Sequence, residues 1–381
     1  MSRTVREKKV YLRPVKKIEL SESHVKLRTF AVVAMIVIAA TAFGFGIHSL
    51  VEGDKGWINV ECIMTEPNCS GDFNFSYHTN GRQTTTAVEA QYSKACVDAY
   101  AMFSAKERSA DFNNLRKINN EPNTVIELPT PLYEALETMS AKGKLAYLYL
   151  GPIYEEYEAL CLADNDIAAS EFDPARNPEV KEYIDRILGF INSGSDIELA
   201  FIGYQKVKLI VSEEYEAFAK EYGKFTYIDF GWMKNAFVID YIAEQMINAG
   251  YTDGCISSFD GFSRCLDDGN TQYSYNVYSL GEKGPEIYKV INYKGRENIV
   301  SYRTFELYDL DQIHYRTYAD GTRVHPYISP ETGLPAATLD MNCLHTKQMS
   351  CSELMLETME YFMFGKPYKG LADKGITGYK K

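Results

Sequence analysis

Residues 227–261 read YIDFGWMKNAFVIDYIAEQMINAGYTDGCISSFDG, and this stretch decides the predicted fold. Apolar residues at helical spacing predict an amphipathic helix over Phe237–Asn248, and the Ala-Gly pair that follows is typical of a helix end. Short apolar runs before and after it, at Phe225–Phe230 and Gly254–Phe259, predict two buried strands. A strand, a helix and a second strand in this order indicate a domain that mixes helices with a sheet.

The same patterns continue on both sides of this stretch. Helices are predicted over 87–112, 131–148, 155–162, 177–191 and 352–364. Strands are predicted over 57–63, 72–77, 207–211, 273–279, 286–292, 298–306 and 323–328. The predicted fold class is therefore α/β (α+β mixed), in one domain over residues 53–365. Residues 366–381 are predicted to form a polar, peripheral tail.

An apolar segment precedes this domain. Residues 30–51 read FAVVAMIVIAATAFGFGIHSLV, and about 20 such residues span a bilayer as a helix. The leader 1–29 is rich in Lys and Arg, which remain on the cytoplasmic side, so the N-terminus is predicted inside and the domain outside. We therefore expect a single-pass cell-membrane protein with an uncleaved signal anchor. The alternative for residues 30–51 is a buried core helix.

The cysteines are consistent with an exported domain. All eight follow residue 51, and an even count confined to an exported segment predicts disulfides. Six are close neighbours in sequence and are the first candidates for pairing: Cys62 and Cys69, Cys255 and Cys265, Cys343 and Cys351. The alternative is a set of unpaired buried thiols.

Charge and aromatic content restrict the partners. A net charge of −12 disfavours a nucleic-acid partner, because binding phosphates requires Lys and Arg surfaces. The 29 tyrosines suit ring ligands and protein interfaces, since Tyr has a stacking face and a hydrogen-bonding tip. A surface that is simply rich in Tyr is the alternative.

Two segments carry a family resemblance: the stretch 227–261, and residues 320–335, which read DGTRVHPYISPETGLP. They are similar to the D-L-G-G-I-A-K-G-x-x-x-D … N-L-G-G-D run and the G-x-x-x-H-I-x-D-P-x-T-G-x-P motif of the FAD:protein FMN transferase (ApbE-type) family. Residues 109–119 resemble the family's S-x-x-x-x-I-N element. The resemblance covers roughly residues 57–365 in the family's order.

The resemblance implies a chemistry and a set of site residues. Members of the family bind FAD, split its diphosphate with Mg²⁺, and attach FMN to a Thr or Ser of a partner flavoprotein. It therefore implies FAD or FMN as cofactor and an exported or membrane flavoprotein as client. The positions that match, or lie next to, the family's cofactor-binding residues are Asn119, Asp229, Gly231, Pro330, Thr332 and Gly333. The catalytic candidates are Lys234, Asp240 and His325, and the metal candidates are Glu353 and Thr358.

Several positions depart from the family pattern. Trp232 replaces a glycine that lets backbone approach a phosphate. Pro326 stands at the family's His, while His325 is one position off and would face the other side of a strand. Glu353 is one position from the acid expected four residues before Thr358, and the rotation of about 100° per helical residue makes a Mg²⁺ site doubtful.

These departures lead to three readings of the function. The first is a membrane-anchored extracytoplasmic homologue that binds flavin or acts as a scaffold, with weak or lost transfer activity. The second is an active, divergent FAD:protein FMN transferase that flavinylates Thr or Ser of a membrane or exported flavoprotein. The third is an unrelated exported binding domain.

Overall fold

A computed structural model describes residues 55–366 and 370–381, and the predicted mixed α/β fold is confirmed. The strands are β1 (Gly56–Asn59), β2 (Phe73–Thr79), β3 (Val125–Glu127), β4 (Ile197–Gly203), β5 (Lys206–Val211), β6 (Gly254–Ser258), β7 (Phe262–Cys265), β8 (Gln272–Gly281), β9 (Gly284–Lys294), β10 (Asn298–Arg303), β11 (Arg316–Thr317), β12 (Arg323–Val324), β13 (Met341–Thr346) and β14 (Thr377–Lys380).

The helices lie between these strands in the chain. They are α1 (Arg82–Phe103), α2 (Leu115–Asn120), α3 (Thr130–Ala141), α4 (Leu145–Leu148), α5 (Gly151–Leu162), α6 (Asp166–Ser170), α7 (Pro178–Asn192), α8 (Glu213–Tyr222), α9 (Lys234–Asn248) and α10 (Cys351–Phe364).

The main sheet has the order β1-β2-β6-β7-β10-β13-β14 and is antiparallel throughout. Helices α1, α9 and α10 pack together, and the core between them and the sheet holds side chains such as Ile256 and Leu344. A separate hydrophobic cluster, with Val277 and Ile291 of the β8–β9 hairpin and Cys343 of β13, lies beside this core. Strands β3, β5 and β4 form a smaller sheet.

Local sequence explains where several helices begin and end. The side chain of Asn177 accepts a hydrogen bond from the Glu179 amide at the start of α7, as the sequence predicts. Ser350 and Glu353 form a reciprocal capping box at the start of α10. That helix ends at Gly365, whose φ of 67° is a left-handed conformation that glycine adopts without a steric cost.

The structure corrects several of the predicted elements. The helix predicted over 87–112 is α1, which ends at Phe103. Residues 225–230 form no strand, because their backbone bonds to the buried side chain of Asn119 and to the Leu148 carbonyl at the end of α4. The predicted helix over 131–148 is split into α3 and α4 at Gly143, whose φ is 66°. The predicted strand over 323–328 is reduced to the two residues of β12. The tail is more than peripheral, since β14 pairs with β13 as an edge strand of the main sheet.

No helix in residues 55–366 and 370–381 is both long and apolar enough to cross a membrane. The predicted span over 30–51 lies outside the described residues.

All eight cysteines are free thiols in the structure. Cys343 belongs to the cluster under the hairpin and Cys351 to the main core, so the predicted pairing of these two is wrong. The Cys69 thiol donates to the Cys96 carbonyl at 3.3 Å. Cys255 and Cys265 do lie opposite each other, on β6 and β7.

Candidate functional site

The segment before α9 is fixed by a buried amide. Asn119, at 1% exposure, donates from Nδ2 to the Ile228 carbonyl and accepts from the Ile228 amide, both at 2.9 Å. The next residue, Asp229, donates its backbone N–H to the Leu148 carbonyl. Three backbone groups of the segment are therefore bonded without a neighbouring strand, which is why residues 225–230 remain irregular.

Gly231 turns the chain from this segment into α9. Its φ is 53°, and a Cβ at this position would lie 2.5 Å from the Tyr154 ring. The Gly231 amide donates to Asp229 Oδ1 at 2.9 Å, which orients that carboxyl group. Both the backbone conformation and the contact with Tyr154 therefore require glycine.

This segment borders a cleft made of two cavities, of about 200 and 280 Å³. The residues that line both of them are Glu158, Gly231, Trp232, Lys234, Ile313, His314 and Pro326. Because the two cavities share these walls, we treat them as one cleft. Its inner part is completed by Asn235 and Asp260, and its outer part by Asp229 and His325.

Buried polar atoms without a protein partner belong to residues that line this cleft. They are Trp232 Nε1, Asn235 Oδ1, Asp260 Oδ1 and His325 Nδ1. Leaving such an atom unsatisfied costs about 1–3 kcal/mol, and most buried polar groups in proteins are paired. Four in one cleft indicate a site whose hydrogen bonds are completed by a polar ligand or by water.

The acids and bases of the cleft differ in their environment. Burial raises the pKa of the Asp260 carboxyl to about 6, although Asn235 Nδ2 donates to it at 3.0 Å. Burial also raises the pKa of Asp229. Near the opening, Lys234 is 3.9 Å from Asp72, and Lys106 forms an ion pair with Glu158. These exposed pairs stabilise the fold little and leave the lysines available to an anionic ligand.

His325 lies on the cleft wall, against the expectation from strand alternation. Strand β12 ends at Val324, so the alternation of side chains does not extend to residue 325. The imidazole is 7% exposed, and burial, together with the charge of Arg323, lowers its pKa to about 4. It is therefore a neutral imidazole at physiological pH, able to accept a proton.

Three predicted cofactor-binding residues lie away from the cleft. Pro330, Thr332 and Gly333 belong to a tight turn, in which the Gly333 amide donates to the Ser329 carbonyl at 2.8 Å. A Cβ on Gly333 would lie 2.4 Å from Ile184 of α7. The Pro-Thr-Gly motif thus packs the turn onto the helices and does not line the described cleft.

Asp240 is also engaged away from the cleft. Its carboxylate accepts hydrogen bonds from the amides of Cys351 at 3.0 Å and Ser352 at 2.8 Å, and from Arg264 at 2.7 Å. A carboxylate at this position caps the N-terminus of α10 and complements its dipole. The structure therefore gives Asp240 a capping contact instead of the predicted position among the cleft residues.

The predicted metal ligands are not brought together. Thr358 is fully buried and donates to the Leu354 carbonyl at 2.6 Å, whereas Glu353 is exposed and belongs to the capping box of α10. Within the described ranges, no three His, Cys, Asp or Glu side chains are arranged to hold a metal ion. These residues do not fit the octahedral oxygen set that Mg²⁺ requires.

Other cleft residues were not predicted from the sequence. Glu158 and Tyr154 come from α5, Lys106 from the loop after α1, and Tyr302 and Tyr327 from the region around β10 and β12. Of these residues, only the tyrosines were indicated by the sequence, through its high tyrosine content. The remaining contacts join segments that are far apart in the chain, so no local pattern identifies them.

Comparison with known proteins shows the fold. No family model and no curated protein matches the sequence. The structure is similar to the ApbE protein of Thermotoga maritima, with a TM-score of 0.58 and 15% identity over 86% of this chain and 94% of that one. The flavin transferase ApbE of Vibrio cholerae gives 0.54 and 13% over 86% and 98%. The apo flavinyl transferase ApbE of Pseudomonas stutzeri gives 0.52 and 13% over 87% and 92%.

Proposed function

We propose that this protein, whose chain has a divergent ApbE-like fold, binds a flavin nucleotide in the cleft between α5 and α9 and has weak or lost transfer activity. One observation carries the proposal: four residues that line this cleft each hold a buried polar atom without a protein partner. In a fold shared with flavin transferases, these atoms are the natural partners of a ring edge or a ribityl chain rich in donors and acceptors.

Aromatic side chains support a planar ligand. The Trp232 indole lies edge-on to Tyr327, with ring centroids 5.0 Å apart, and 6.2 Å from Tyr302. Trp232 and both tyrosines line the inner cavity. Aromatic walls of this kind bind flat conjugated rings by stacking and edge contacts. The indole at the position of the family's glycine therefore occupies part of the cleft and offers a surface to a ring.

The proposed loss of transfer activity follows from where the candidate metal ligands lie in the fold. Glu353, Thr358 and Asp240 are each engaged in helix capping or in packing. Diphosphate cleavage in this chemistry relies on a metal to neutralise developing charge. The described residues therefore do not fit a Mg²⁺ site.

The proposed location rests on the apolar segment 30–51. A single helix there, with the basic leader inside, would hold the domain at the outer surface of the cell membrane. An exported or membrane flavoprotein is the client that such an anchored homologue would meet. Binding or scaffolding of that client is part of the proposal.

An active transferase is the second candidate function, and one observation favours it. Lys234 and His325, two of the predicted catalytic residues, line the same cavity as Asp229. The neutral imidazole of His325 can accept the proton of an attacking Thr or Ser hydroxyl, and Lys234 can contact a phosphate oxygen. This arrangement would serve FMN transfer if a metal were supplied in another way.

The experiment uses the full-length chain in detergent, titrated with FAD and with FMN while flavin fluorescence is followed. Saturable binding supports the proposal, and no binding of either flavin overturns it, leaving an ApbE-like domain that acts only as a scaffold. AMP release is then measured with FAD, with and without Mg²⁺. Release above the protein-free blank would support the active transferase, and its absence supports the homologue with lost activity.

A further inference from the structure

Two cysteines form a cross-strand pair outside the cleft. Cys255 of β6 lies opposite Cys265 of β7. The flanking Leu266 amide donates to the Gly254 carbonyl, whereas the Cys265 amide donates away from β6, to the Glu297 carbonyl. Cys255 and Cys265 are therefore a non-hydrogen-bonded pair, in which the Cα atoms are about 4.5 Å apart. That separation falls within the range of about 4.4–6.8 Å found in disulfides.

The surroundings of the two thiols are unequal. Cys255 is partly exposed, and its Sγ lies 3.4 Å from Ser263 Oγ and 3.6 Å from the Tyr293 hydroxyl. Hydrogen bonds from Cys265, Ser263 and Tyr293 lower the pKa of Cys255. Cys265 is 1% exposed, and its interaction with Cys255 and its burial raise its pKa. Because Cys255 is the more exposed of the two and has hydrogen-bonding neighbours, it is the nucleophilic thiol. The buried Cys265 is the thiol that then attacks the mixed disulfide.

We propose that Cys255 and Cys265 are a redox-active pair that closes reversibly to a disulfide by exchange with a disulfide-containing oxidant. The Cys255 thiolate attacks one sulfur of the oxidant, forms a mixed disulfide and releases the other sulfur as a thiolate. Cys265 then attacks the Cys255 sulfur, its proton passing to the departing thiolate. Two thiols of the protein are oxidised, and one disulfide of the oxidant is reduced to two thiols.

Two other cysteines, Cys161 and Cys343, are not activated in this way. Burial raises the pKa of Cys161 and of Cys343 to about 12, which makes both thiols poor nucleophiles. The pair also has a structural link to the cleft, because the turn between β6 and β7 carries Asp260. A disulfide would close the loop that contains this acid. The proposal itself does not depend on flavin binding.

The sequence allows a direct test by peptide mapping. The full-length chain is equilibrated with oxidised dithiothreitol, remaining thiols are blocked, and the protein is digested with trypsin. Cleavage after Lys234, Arg264 and Lys283 separates residues 235–264 from 265–283, so only a disulfide keeps the two peptides joined. We expect the joined peptide after oxidation, its loss on reduction, and its absence in Cys255→Ser. Cys62→Ser, which alters another partly exposed thiol, should still give the joined peptide.

Two results would overturn the proposal. One is the absence of the joined peptide at every oxidant concentration; the other is linkage of Cys255 mainly to a different cysteine.

A second variant tests the activation of Cys255 without removing a thiol. Tyr293→Phe should slow alkylation of Cys255 by roughly threefold to tenfold at pH 7, because a hydrogen bond to the thiolate is lost. Tyr288→Phe, on the same strand but exposed, is the control. Equal rates in Tyr293→Phe and the wild type would refute the activated thiol.

Discussion

Asn119 and Ile228 are joined by two hydrogen bonds of 2.9 Å, in which one side-chain amide pairs with a backbone amide and carbonyl as a neighbouring strand would. This pair determines where Asp229 and Gly231 enter the cleft. The resemblance predicts Asn119 as a cofactor ligand, whereas in the structure both Nδ2 and Oδ1 of its side chain bond the backbone of Ile228.

Replacement of Asn119 by Ala should therefore impair both stability and binding. Two buried backbone groups would lose their partner, which lowers the free energy of unfolding by about 2–4 kcal/mol. Flavin affinity should fall as well, since Asp229 would no longer be fixed. Denaturant unfolding and FAD titration measure the two effects. The exposed neighbour Asn120→Ala is the control, and an unchanged stability of Asn119→Ala would contradict the role of this pair.

Replacement of Asp260 by Asn should stabilise the protein at alkaline pH. The folded-state pKa of about 6 exceeds the unfolded value of about 3.9, so the carboxyl group destabilises the fold increasingly as pH rises between these values. We expect the free energy of unfolding of the variant to exceed that of the wild type by about 1–3 kcal/mol at pH 8 and to equal it at pH 3.5. Urea denaturation at both pH values tests this. Asp268→Asn, an exposed acid, should show no such gain, and a gain equal at both pH values would argue against a buried, neutral Asp260.

Replacement of His325 by Gln should reduce the fall in the free energy of unfolding that occurs as the pH is lowered. The folded-state pKa of about 4 is below the unfolded value of about 6.5, so the unfolded chain binds the proton first and stability falls from pH 6.5 to pH 4. Because the variant lacks this imidazole, its free energy of unfolding should fall by about 2–3 kcal/mol less than that of the wild type between pH 6.5 and pH 4. Thermal unfolding at pH 7 and pH 4.5 gives the comparison. His78→Gln controls for loss of an imidazole, and parallel pH profiles of wild type and His325→Gln would disprove the assignment.

Replacement of Trp232 by Phe tests the proposed ring contact. The ring remains, but the Nε1 donor is lost, and we expect FAD to bind about five to ten times more weakly, in line with one hydrogen bond. The chain has two tryptophans, and Trp57 on β1 is 50% exposed. Flavin should quench Trp232 fluorescence in Trp57→Phe, whereas Trp232→Phe should show little quenching. Equal quenching in both variants would mean that the flavin binds elsewhere.

Replacement of Glu353 by Gln separates the capping role from the metal role. Its carboxylate accepts from the Ser350 amide at 3.1 Å at the start of α10. Loss of the charge at this helix N-terminus should lower stability by about 0.5–1 kcal/mol. The effect of Mg²⁺ on FAD binding should equal that in the wild type. A loss of Mg²⁺ dependence in this variant alone would restore the metal role that the resemblance implied.

The short-range features were predictable from the sequence. The helix over Phe237–Asn248 and the strand from Gly254 are present, as are the cap at Asn177 and the C-terminal helix. Apolar periodicity and capping residues act over a few positions, so a local pattern determines them. The motif resemblance identified the correct fold at an identity of only 15% to the ApbE protein of Thermotoga maritima.

The composition of the cleft was decided by the tertiary structure. His325 reaches the cleft because its strand ends one residue earlier. Thr358 is buried whereas Glu353 is exposed, because each helical residue turns the side chain by about 100°. Glu158, Asp260 and Trp232 meet only when α5, the β6–β7 turn and the start of α9 pack together. The sequence by itself predicted several of the helices and strands, the ApbE-like fold and the candidate site residues. Only the packing of distant segments decided which of those residues share a site, because a shift of one position changes the face on which a side chain lies.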